Sequence, residues 1–167
     1  MHQPLQHLAT VLDKLLAEHE RLLRLSQRQK QVLVARRMNE IQRVTAEMQA
    51  SITRVHELEA SRQEITEALA ESWGLSVDTL TLTTIEDRVG RTDPRLAGRL
   101  AHTGRRLRDT LSLLAQQNRE NQRLTEQWTQ YTTQMFEWVA RHTGTAGYHP
   151  AQSPDGTPRN LVFDLKA

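Results

Sequence analysis

"PRLAGRLAHTGRRLRDTLSLLAQQNRENQRLTEQWTQYTTQMFEW", residues 94 to 138, decides the fold. Leu96, Leu100, Leu107, Leu111, Leu114, Asn121, Leu124, Trp128, Tyr131, Met135 and Trp138 recur at helical spacing through it. Asp93 suits the N-cap and Pro94 the first helical position. The pattern predicts one helix of roughly 45 to 50 residues, about 70 Å long at 1.5 Å per residue. A helix that long buries only a stripe, so it must lie against something of similar length: the rest of this chain, another subunit or a bound client.

Two further segments match it. Leu5, Leu8, Leu12, Leu15, His19, Leu22, Ser26, Gln29 and Leu33 follow alternating steps of three and four, and Leu16, Leu23 and Leu25 widen the stripe. This predicts a first helix from about Pro4 to near Arg37. Ile41, Val44, Met48, Ile52, Val55, Leu58, Arg62, Ile65, Leu69 and Trp73 form a second series, closed by Gly74 as a C-cap. "VARRMNEI" between the two contains neither glycine nor proline, so a bend and a full reversal both fit, and Asn39 is its only weak breaker. Residues 75 to 93 read as a connector with room for one short helix. The expected fold is all-α: an elongated antiparallel bundle or coiled coil of three long helices, residues 1–143, with a flexible C-terminal tail, residues 144–167.

Composition suits a thin core: 37% hydrophobic, 4% aromatic and 25% charged residues. A net charge of +2, from 22 basic and 20 acidic side chains, does not point to nucleic acid. The arginines at 88, 91, 95, 99, 105, 106 and 108 invite a phosphate-binding reading. Arg95, Arg99, Arg105, Arg106 and Arg108 lie off the leucine seam, however, and read better as a solvated face or as a surface for an acidic protein. The chain has no cysteine, which removes disulfides, thiolate metal sites and cysteine nucleophiles and suits a reducing cytoplasm. No apolar run approaches the roughly 20 residues of a membrane span, and no export signal is visible at the N-terminus.

His19, Arg62 and Asn121 occupy seam positions where an aliphatic residue would stabilise more. Such residues either set bundle register at a cost in stability, or mark a seam left unfilled until a client helix arrives. Asn118 lies three residues before Asn121, on an adjacent edge of the same face.

Enzyme and metal signatures are missing. The seven histidines include no pair at helical spacing and no Glu-x-x-His, and there is no glycine-rich phosphate loop. No catalytic residue, metal ligand or cofactor is assigned.

Aromatic residues gather late, at Trp128, Tyr131, Phe136, Trp138 and Tyr148. They either close the end of the bundle or form an interface. Beyond them, "GYHPAQSPDGTPRN" is too rich in proline and glycine to continue a helix. The "NLVFDLKA" that follows is a short apolar stretch in need of a partner.

Taken in order, "LLAEHERLLRL" with Glu18 or Glu20, "LEASR" at residues 58 to 62, "NRENQRL" at 118 to 124 and a tyrosine with a following glycine turn resemble the FlgN-like cytosolic chaperones of flagellar type III export. The resemblance covers nearly the whole chain. It implies a non-enzymatic cytoplasmic chaperone that binds the C-terminal helical segments of the hook-associated, or hook–filament junction, proteins. Such a chaperone keeps them unassembled and hands them to the cytoplasmic domain of the export gate, without inserting in a membrane.

By the same resemblance the client surface would be the late face of the third helix: Leu114, Asn118, Asn121, Leu124, Trp128, Tyr131 and Met135. Tyr148, with Asp155 and Gly156, would dock on the gate. Here His149 to Ser153 separate the tyrosine from Pro154-Asp155-Gly156, a longer spacing than the family's compact motif, which leaves Tyr131 as the alternative docking tyrosine. The competing reading is a self-associating coiled-coil structural or adaptor protein with no secretion role, and the oligomeric state is open.

Overall fold

A computed structural model describes residues 2–143, and every described element is helical. Helix α1 spans His2–Val34, α2 Met38–Trp73, a 3-10 turn Val77–Thr79, α3 Leu82–Gly90 and α4 Pro94–Thr143. The all-α bundle is as expected, with three long helices and one short helix of nine residues, α3, in the connector.

The first two segments form a hairpin. With no glycine to take the left-handed conformation that commonly ends a helix, Arg36 takes it, at φ 56°. Its amide donates to Leu33 O at 3.1 Å, and the next amide, of Arg37, reaches back to Val32 O at 3.1 Å. At the end of α2 the same pair of bonds forms around Gly74, at φ 65°, from Gly74 to Glu71 O and from Leu75 to Ala70 O. Glycine adopts this conformation freely, whereas an L-residue gives up about 1 kcal/mol or more. Asp93 caps α4 as its position suggested, accepting from the Leu96 amide at 3.0 Å.

Helix α1 is the axis of the bundle. α2 packs antiparallel along one flank of it and α4 parallel along the other. This explains its wide stripe: Ala9, Val11, Leu16, Leu25 and Val32 are buried beside the seam residues Leu8, Leu12, Leu15 and Leu22. α2 and α4 make no backbone approach to each other. α3 folds back on the start of α4 and adds Ile85 and Val89 to the core. It sits so close over Gly104 that a Cβ there would collide with Leu82. Arg88 of α3 lies over the Trp73 ring at 4.8 Å, tying α3 to the end of α2.

α4 outruns its support. Arg36, just past the end of α1, stands over the Tyr131 ring at 4.8 Å. The remaining 12 residues to Thr143 project about 18 Å further.

Candidate functional site

Three consequences of this packing bear on function: a groove, a polar cross-brace and an aromatic end. The groove arises because α1 separates α2 from α4. Its floor is Leu8, Leu12 and His19 of α1; Val55, Glu59, Arg62 and Thr66 form the α2 wall, and Leu107, Arg108, Leu111, Ser112 and Ala115 the α4 wall. Leu80, Leu82 and Ile85 close it at the α3 end, leaving a volume of about 800 Å3. Leu107 and Leu111, in seam register by sequence, are only half buried, because the partner that would cover them is not α2.

The polar seam residues have separate fates. His19 is 4% exposed, and its Nδ1 donates to the Leu15 carbonyl oxygen at 2.8 Å, since a carbonyl can only accept. Arg62 lies on the groove wall, half buried, its Nε donating to Glu59 at 2.8 Å. Asn121 is 4% exposed in the α1–α4 contact. Its amide donates to Ser26 O at 2.8 Å and to Gln29 Oε1 at 2.9 Å, while its own oxygen accepts from Gln117 at 3.1 Å. Asn118 accepts from Ser26 Oγ at 2.9 Å. Both amides therefore bond to the protein's own α1.

Charged links flank this brace. Asp13 accepts from Arg99 and, at 2.8 Å, from Thr103; Glu20 pairs with Arg106; Lys30 donates to Glu120 at 2.6 Å. Two of the arginines read as a solvated face, Arg99 and Arg106, thus reach across to α1, although each stays about half exposed and contributes little by itself. The Lys30 ammonium and the Gln116 amide beside Glu120 hold its carboxyl below the usual range.

On the α2 side, Glu18 accepts from Ser51 Oγ at 2.5 Å and from Arg54 Nε at 2.9 Å. Burial alone would raise its carboxyl. The two hydrogen bonds, with the charges of Arg54 and Arg21, outweigh burial and hold it below the usual carboxylate range. Ser51 is fully buried, so this link is well shielded from water.

The residues expected to form one client face divide along α4. Leu114, at 2% exposure, Asn118 and Asn121 turn toward α1; Leu124 and Trp128 are half buried; Tyr131 and Met135 are about half exposed, as are Phe136 and Trp138 beyond them. Tyr148, Asp155 and Gly156 lie outside the described residues. The groove was missed by sequence reasoning, which placed Leu107 and Leu111 in a continuous core; Val55 is in the core and Arg108 exposed, as read, but both also line the groove. The one available signal was the extra width of the α1 stripe, which marks a helix shared by two neighbours.

No described helix is long and apolar enough to cross a membrane. No group of three or more potential metal-ligating side chains occurs among the described residues. Compared with known proteins, the chain matches the family model described as FlgN protein over residues 1–156, a span that takes in the whole bundle together with Tyr148, Asp155 and Gly156. No curated protein and no solved structure matches it.

Proposed function

Because the chain belongs to the FlgN family, whose members are flagellar export chaperones, we propose that it binds the C-terminal helical segments of hook–filament junction proteins in the cytoplasm. It holds them unassembled and delivers them to the cytoplasmic domain of the export gate. The family match across the bundle carries this reading. The architecture supports it, because a bundle built on one shared helix leaves apolar surface uncovered in two places, the groove and the far end of α4.

On this reading the client surface carried by the resemblance narrows to the exposed end of α4, around Leu124, Trp128, Tyr131 and Met135. Leu114, Asn118 and Asn121 instead hold α4 to α1 in the correct register, and His19 and Arg62 serve the bundle and the groove wall. Tyr148, with Asp155 and Gly156, docks on the gate. The chain is an adaptor between two proteins: a folded rod for the client and a tail for the gate.

Isothermal titration of the full chain with C-terminal segments of the junction proteins from the same genome tests the proposal. Saturable binding of at least one segment, weakened by Trp128→Ala and Met135→Ala, is the expected result. No heat of binding with any segment would refute a junction-protein client.

A further inference from the structure

The groove between α2 and α4 has the shape of a missing helix. Its walls present side chains at positions 55, 59, 62 and 66 on α2 and at 107, 108, 111, 112 and 115 on α4, with Gly104 at the α3 end. Those are the three- and four-residue spacings of helix ridges, which accept the ridges of a further helix laid alongside. Gly104 to Ala115 covers about 16 Å of α4, close to three helical turns. Leu8 and Leu12 of the floor and Val55, Leu107 and Leu111 of the walls give it an apolar strip between polar edges, and Leu107 and Leu111 remain half exposed to the space. α3 fills one end of this fourth position and stops.

Charge narrows the occupant. Within the groove the Glu59 carboxylate is taken up by Arg62 at 2.8 Å. Exposed Arg108, on the opposite wall, makes no hydrogen bond or ion pair with any other described residue. The unbalanced charge is positive, and a carboxylate facing Arg108 would complement it.

Reach argues against the chain's own tail. The apolar stretch beginning at Asn160 is separated from Thr143 by residues 144 to 159. Sixteen residues span at most about 55 Å when fully extended. The groove begins 28 residues back from Thr143 along α4, at Ala115, a distance of about 42 Å. Reaching even its near end from within the chain would draw that linker out to about three quarters of its extended length.

We propose that this groove seats an amphipathic helix of about three turns supplied by another protein, its apolar face on half-exposed Leu107 and Leu111, over the buried Leu12 and Val55 beneath them, and an Asp or Glu side chain on the edge facing Arg108. This rests on the reading of the chain as a holder of helical clients, and it gives that client a second seat, distinct from the aromatic end of α4.

The test uses the full chain, the junction-protein segments as titrants, and two substitutions at exposed groove positions that leave the core intact, Arg108→Glu and Ser112→Trp. Arg43→Glu, an exposed arginine of α2 outside the groove, is the charge-matched control. Arg108→Glu should weaken binding by about tenfold, more at low salt than at high salt, and an Asp or Glu to Arg change in the segment should restore it. Ser112→Trp should weaken it at least as much, and Arg43→Glu should leave it unchanged. If the wild-type chain binds a segment and both groove variants bind it equally well, the groove assignment is overturned while the client reading stands; if the wild type binds none, both fall. Two other results would also overturn it: a wild-type dimer in sedimentation that Ser112→Trp dissolves, which makes a second copy the occupant, or a tenfold tighter segment affinity on truncation after Thr143, which makes the tail the occupant.

Discussion

The Asn121 side-chain amide on α4 donates to the backbone carbonyl oxygen of Ser26 on α1 at 2.8 Å, in a contact that leaves Asn121 only 4% exposed. Leucines on either side could slide past one another by a turn and still pack. This amide finds its acceptors, Ser26 O and Gln29 Oε1, at one alignment only. The same amide also reaches the Ser26 hydroxyl at 3.2 Å, so Asn121→Ala should lower stability by about 1 to 3 kcal/mol, because the Ser26 carbonyl and hydroxyl oxygens and Gln29 Oε1 all lose a donor. In urea denaturation, Asn121→Ala and Ser26→Ala should be coupled, with the double variant costing less than the sum of the two. Strict additivity would show that the Ser26 hydroxyl takes no part in the bond and that the register rests on the Ser26 carbonyl and Gln29 alone.

Arg36 holds a left-handed backbone while its guanidinium lies over Tyr131. The strain of about 1 kcal/mol and the cation–π attraction of about 0.5 to 1 kcal/mol nearly offset each other. Arg36→Gly should leave the melting temperature almost unchanged in the wild type and raise it clearly in a Tyr131→Ala background. Equal effects in the two backgrounds would mean that the ring contact contributes nothing.

Glu18 titrates below the usual carboxylate range in the folded protein, since the bonds from Ser51 and Arg54 outweigh its burial. A depressed folded-state pKa gives stability that is fully present above the range in which an unfolded glutamate titrates. That stability is lost as pH falls through the folded value. Stability should thus decline on the acid side, and Glu18→Gln should lower it at neutral pH while flattening that decline. A Glu18→Gln variant with the wild-type acid slope would assign the decline to other carboxyls.

Tyr148 lies outside the described residues, and both proposed client surfaces lie within them. Tyr148→Ala should spare client affinity and weaken binding of the loaded complex to the isolated cytoplasmic domain of the export gate, measured by surface plasmon resonance. Loss of gate binding on Tyr131→Ala, with Tyr148→Ala silent, would move the docking role to Tyr131.

Much of the fold was legible because long helices declare themselves by period. The cap at Asp93, the stop at Gly74 and the extent of α4 followed from local chemistry. The reversal at Arg36 did not, because an arginine in the left-handed region carries no signature and the hairpin is fixed by packing of α1 on α2. The site was less legible. Periodicity reports which face of a helix is apolar, not which neighbour covers it, so Leu107 and Leu111 looked the same as Leu100 and Leu114 although only the latter two are fully buried. In the same way Asn121 reads as a gap in a seam, and its partners Ser26 and Gln29, on a helix more than 90 residues earlier, emerge only from the register of α1 against α4.

The central claim is that this chain captures a helical segment of another protein. Far-ultraviolet circular dichroism of the full chain, of a junction-protein C-terminal segment, and of their mixture measures that directly. The account predicts a mixture more helical than the sum of its parts, saturating at one segment per chain and diminished by Ser112→Trp or Trp128→Ala. A spectrum equal to the sum at every ratio, with every segment from the same genome, would contradict it.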